Sequence, residues 1–89
     1  MDKLGQQYKR RDKRLYSDKD QMRFAVRLEQ LLYKNNISNR ILSQATLIDE
    51  RSISRMLHEL QYPNMFQIID IAKYFNVSTD YLLCLKEEK

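Results

Sequence analysis

The chain is poor in the residues that usually carry chemistry. It has one cysteine, one histidine, one glycine, one proline and no tryptophan. A single cysteine, Cys84, excludes an internal disulfide framework and has no CxxC neighbour to suggest a metal knuckle. The single histidine, His58, has no second nitrogen or sulfur ligand at helical spacing, so a zinc site is not expected. It also lacks the nucleophile and orienting partner that a catalytic base needs. The single glycine, Gly5, lies near the N-terminus, which leaves no glycine loop to cradle a phosphate. No apolar run reaches the roughly 18 residues of a membrane span. The charged N-terminus does not read as a secretory signal. No enzyme, metal, cofactor, small-molecule ligand or membrane association is therefore expected, and a cytoplasmic setting is. With nothing read beyond residue 89, no separate effector domain is expected either.

What is present is a helical, mixed-charge chain. Hydrophobic residues make up 43% and charged residues 31% of 89, which suits one small soluble domain. The net charge of +4 is unevenly placed. Residues 1–20 carry seven basic and four acidic side chains, and residues 21–89 carry nine and eight. The excess thus sits mostly in an N-terminal arm, residues 1–19, with the cluster Lys9, Arg10, Arg11, Lys13 and Arg14. Such an arm suits the DNA backbone or a minor groove. The plainer alternative is a solvated tail, or an extra surface helix using Leu4, Tyr8 and Leu15.

From Asp20 a helical period takes over, and residues 20–89 read as one all-α domain of five short helices. The first runs from an Asp20 cap to Asn35-Asn36, with Phe24, Leu28, Leu31 and Leu32 on one face. Ser38 caps a second, about 39–46, with Ile41, Leu42 and Ala45 inward. Asp49 caps a third, about 50–59, with Ile53, Met56, Leu57 and Leu60 inward. Asn64, after Pro63, caps a fourth, about 65–75, with Met65, Ile68, Ile69, Ala72 and Phe75 inside. Ser78 caps a fifth, about 79–86, carrying Tyr81, Leu82 and Leu85. The tyrosines would suit base stacking, but Tyr33, Tyr74 and Tyr81 fall at helix positions where partial burial is expected.

The stretches "FAVRLEQLL", "ISNRILSQATLID", "RSISRML" and "IAKYFNVSTDYLL" follow one another at fixed separations from Phe24 to Leu83, about two-thirds of the chain. Together they resemble the helix-turn-helix domain of the lambda repressor and Cro type, the XRE family. That resemblance implies a compact five-helix lambda repressor-like DNA-binding domain. Its third helix would lie in the major groove. It implies base-reading positions at Glu50, Arg51, Ser52, Ser54 and Arg55, and phosphate contacts at Ser38, Asn39 and Arg40, with the basic arm adding more. Arg51 and Arg55, four apart, share a helical face, and each suits a bidentate pair to guanine. Asp49 explains itself as a cap, and Glu50 as an acceptor for cytosine or an orienter of Arg51.

Three departures from the family pattern bear on function. Leu47 stands where the family favours glycine in the turn, and "ELQYP", Glu59 to Pro63, lacks the glycine that the family usually has near position 59 and the basic residues after it that hold phosphates. Leu32 and Leu57 replace a family arginine–glutamate pair. An apolar pair there leaves no buried charge to desolvate. The expectation is a sequence-specific double-stranded DNA-binding regulator, a repressor of phage or mobile-element type. It would act as a homodimer on half-sites roughly 34 Å apart or multiples of that. Tyr81, Leu82, Cys84 and Leu85 are the first candidates for the dimer surface. The alternative is the same fold acting on a regulatory protein partner, as an antirepressor or antitoxin would.

Overall fold

The chain is seen in a computed structural model that describes residues 15–89. The arm cluster Lys9, Arg10, Arg11, Lys13 and Arg14, with Leu4 and Tyr8, lies outside the described residues. Helix α1 spans Asp18–Lys34, so it begins earlier than the Asp20 cap expected from sequence. Ser17 is the cap residue. The Asp20 carboxylate accepts from the Ser17 backbone N–H at 2.8 Å and from its hydroxyl at 3.3 Å. Asp18 and Asp20 also place negative charge on the positive end of the helix. At the other end the chain turns through Asn36 with φ 57°, the left-handed conformation Asn tolerates.

Helix α2 spans Asn39–Thr46, α3 Glu50–Leu57, α4 Met65–Phe75 and α5 Thr79–Leu82. There is no strand among the described residues. The expected caps form. Ser38 Oγ accepts from Ile41 N–H at 3.1 Å, and Ser78 Oγ accepts from Tyr81 N–H at 3.0 Å. Asn64 and Gln67 bond reciprocally, side chain to backbone, at 2.8 and 3.0 Å.

Every helix sends its apolar stripe into one core. α1 packs on α3 and α5, α2 on α3 and α4, and α4 on α5. Leu28, Leu42, Ile53, Met56, Ile71 and Leu82 are fully enclosed. Each such side chain contributes about 1.5–3 kcal/mol of transfer free energy. Leu32 and Leu57, the apolar replacements for a charged pair, lie in or against this core.

Several residues expected inside are outside. Ala45, Leu60 and Met65 are exposed, and Ile41 is nearly half exposed. Leu60 is out because α3 stops at Leu57: Glu59 adopts φ 60°, and Leu60 N–H turns back to Arg55 O at 2.8 Å. α5 stops at Leu82 rather than near residue 86 for a similar reason. Cys84 adopts φ 63°, and the N–H groups of Leu85 and Lys86 both turn back to Asp80 O. Tyr33, expected to be partly buried, projects into solvent; Tyr74 is partly buried, at 36% exposure, and Tyr81 is buried.

Candidate nucleic-acid interface

The turn between α2 and α3 is fixed by two hydroxyls and one buried side chain. Ser43 Oγ donates to Ile48 O at 2.5 Å, and Thr46 Oγ1 donates to Leu42 O at 2.7 Å. Ile48 itself is part of the core, so the turn is pinned to the domain from within. Leu47 caps α2 with φ 62° and ψ 19°, and its N–H donates to Ser43 O at 2.8 Å. Its side chain is 92% exposed. The turn therefore keeps the left-handed geometry for which glycine is the usual residue, at a strain of about 1–2 kcal/mol.

α3 follows directly. Asp49 caps it, its carboxylate accepting from Arg51 N–H at a long 3.5 Å. Ile53 and Met56 face the core, which leaves Glu50, Arg51 and Arg55 in solvent and Ser52 and Ser54 half-buried. The five expected base-reading residues are thus carried by one helix and all keep some exposure. The Arg51 side chain has no hydrogen-bond or ionic partner among the described residues, and its guanidinium donors are open to a ligand. At the start of α2, Arg40 is exposed and Asn39 half-buried, beside the Ser38 cap. Backbone N–H groups in a helix's first turn, with its positive dipole end, suit an anion.

Arg55 is placed differently from Arg51. Its Nε donates to Gln61 Oε1 at 3.2 Å and its Nη2 donates to Leu60 O at 3.4 Å. The guanidinium is laid over the α3–α4 loop, the segment that lacks basic residues of its own. Arginine has five N–H donors, and this latch occupies two of them. Nothing in the sequence pointed to Gln61, which lies six residues on and past the helix end. His58 is taken up locally, with Nδ1 2.8 Å from Ser54 O.

Of the four residues first considered for a dimer surface, Tyr81 and Leu82 belong to the monomer core. Cys84 is half-buried with Sγ 3.4 Å from Arg23 O, and Leu85 is exposed. Sequence reading also missed Arg27. It is buried, with its guanidinium carbon 3.8 Å from the centroid of the Tyr81 ring and Nη2 3.2 Å from Glu87 Oε1. The available signal was its position, three residues after Phe24 and four before Leu31, on the inward stripe of α1. One further perturbed group lies away from α3. Partial burial, with Tyr62 beside it, raises the Tyr16 phenol above its ordinary pKa.

Among the described residues no group of three or more candidate metal ligands exists, and no helix is long and apolar enough to cross a membrane. The family model for a Cro/C1-type HTH DNA-binding domain matches residues 27–87. No curated protein and no solved structure matches the chain.

Proposed function

The chain belongs to the Cro/C1-type helix-turn-helix DNA-binding family, and on that premise we propose that it is a sequence-specific transcriptional regulator, a repressor of phage or mobile-element type, that reads the major groove with α3. The observation that carries the reading is the outward side of α3. Two arginines and two serines stand there on a helix whose other side is locked into the core. Arg51 reads a guanine edge through a bidentate pair, worth about 1–3 kcal/mol of discrimination. Glu50 accepts from a neighbouring cytosine amino group or orients Arg51. Ser52 and Ser54 supply short donors to base or phosphate.

The latch divides the labour between the arginines. Arg55, tied to Gln61 and the Leu60 carbonyl, presents its remaining donors beside the loop and serves as the phosphate clamp that "ELQYP" does not supply. Ser38, Asn39 and Arg40 hold a second phosphate at the start of α2. The basic arm, Lys9 to Arg14, adds sequence-independent attraction. The protein acts as a homodimer on a two-fold symmetric double-stranded operator.

Paired substitutions test this. Arg51→Ala is expected to cost about 1–3 kcal/mol on the preferred site and to relax preference at one base pair per half-site. Arg55→Ala is expected to weaken all sequences alike and to reduce the salt slope by about 1. Binding titrations at several salt concentrations on matched and single-mismatch sites separate the two. A change in base preference on Arg55→Ala returns that residue to the base-reading set, and an unchanged preference on Arg51→Ala removes Arg51 from it. Absence of DNA binding in the parent chain would favour a protein partner for α3.

A further inference from the structure

The chain end and one face of α1 border an open pocket of about 430 Å³. That volume lies within the roughly 300–1,000 Å³ usual for small-molecule sites. Met22 and Val26 give it an apolar wall, and each is nearly half exposed. Its charged lining is two cations, Arg23 and Arg27, against one carboxylate, Glu87. None of its lining residues belongs to α2 or α3.

Two independent features point to a ligand there. The first is Arg27, whose side chain is only 9% exposed. Its Nη1 is buried and has no hydrogen-bond partner among the described residues, whereas Nη2 donates to Glu87 Oε1 at 3.2 Å. A buried donor left unpaired is costly, and a fork of two nitrogens met by one carboxylate oxygen is half used. Glu87 is itself 83% exposed, so water competes for it. The second feature is the chain's one thiol. Cys84 lines the same pocket, half-buried, and its S–H donates to Arg23 O at 3.4 Å. That bond sets the sulfur against α1 where Arg23 and Arg27, four residues apart, share a face.

We propose that this pocket is a thiol-modification site, in which Cys84 exchanges with a low-molecular-weight disulfide that carries carboxylates. The Cys84 sulfur, as thiolate, attacks one sulfur of the reagent RSSR. A Cys84–S–S–R bond forms, the reagent's S–S bond breaks, and the departing RS⁻ takes up the proton that Cys84 gave up. Cys84 is oxidised and half of the reagent is reduced, so no further oxidant is needed. A carboxylate of R takes the place of Glu87 on Arg27 and pairs the free Nη1, with Arg23 as the second cation. Met22 and Val26 cover the carbon chain of R. The adduct parts Glu87 from Arg27, and so loosens one tie between the chain end and α1. Neither the site nor its chemistry depends on DNA reading.

Intact-mass measurement of adduct formation by the full chain tests this. Three probes are compared at fixed pH and ionic strength: oxidised glutathione, which is anionic, hydroxyethyl disulfide, which is neutral, and cystamine, which is cationic. Each rate is divided by the rate for the same chain unfolded in urea, which removes intrinsic differences between the reagents. The folded chain is expected to favour oxidised glutathione over hydroxyethyl disulfide by about tenfold, and to disfavour cystamine. Cys84→Ser is expected to abolish the adduct. Arg23→Gln and Arg27→Gln are each expected to lower the preference at least about threefold, and Glu87→Gln to raise it by about as much, since it frees Arg27. Lys73→Gln removes an exposed positive charge from α4, outside the pocket, and is expected to leave the preference unchanged. No adduct, or no preference beyond that of the unfolded chain, overturns the proposal. So does a preference that a folded arginine variant leaves intact, or that Lys73→Gln lowers equally. Arg23 and Glu87 are exposed, so their variants decide the matter even where Arg27→Gln does not fold.

Discussion

Leu47 and Glu59 hold the same left-handed backbone, at φ 62° and 60°, in the two turns that bracket α3. Leu47 stands where the resemblance implies glycine and Glu59 near such a position, and both adopt the geometry glycine would give. The left-handed backbone of the two turns around α3 is therefore kept without glycine at either position. That part was legible only as a question. Sequence shows a leucine in the turn, and only coordinates show that the turn did not move to accommodate it. Leu47→Gly is expected to stabilise the fold by about 0.5–1 kcal/mol, because relief of left-handed strain exceeds glycine's greater unfolded-state entropy. Nothing is lost from the core, since the leucine side chain is almost wholly exposed. A denaturant midpoint that rises with unchanged slope bears this out; a fall shows that Leu47 makes a stabilising contact. Arg51 and Arg55 are likewise one residue type at helical spacing, yet a single amide, Gln61, gives them different environments.

Four of the five helix starts were written in the sequence, and the ends of α3 and α5 were not. Ser38, Asp49, Asn64 and Ser78 each cap the helix expected of them, because a short acceptor before an apolar period has one local use. The ends of α3 and α5 fall short because Glu59 and Cys84 turn left-handed, which no propensity assigns to those residue types. Met65 and Leu60 were expected inside on period alone, but a stripe wider than the core leaves its edge outside. The same bias hid Arg27, which occupies an inward position as a charged residue. It joins α1 to α5 by lying over Tyr81 and reaching Glu87. Truncation of Arg27 to Ala is expected to cost about 2 kcal/mol, through loss of the stacked cation and its buried stem. Glu87→Ala is expected to cost under about 1 kcal/mol, because that carboxylate is mostly in solvent. Equal losses from the two substitutions would mean that the ion pair, rather than the stacking, joins the helices.

At the scale of the molecule, three parts of the chain differ in chemistry. The outward side of α3 and the start of α2 are polar and suit DNA. An open groove lined by Tyr16, Phe24, Tyr62 and Leu85 is apolar. The arm carries most of the excess positive charge and suits any phosphate backbone. The all-α class was legible because periodicity and caps are local signals, while the reading role of α3 is what the family resemblance implies. The groove was not legible, because its lining comes from chain segments as far apart as Leu15 and Leu85. The most direct measurement is selection of the full chain against a random-sequence duplex library at near-physiological salt, with sequencing of the retained fraction. A two-fold symmetric motif whose half-sites lie about one helical turn apart, or a multiple of it, is the result that a DNA-reading dimer predicts. Weak retention that vanishes with salt and enriches no sequence contradicts it.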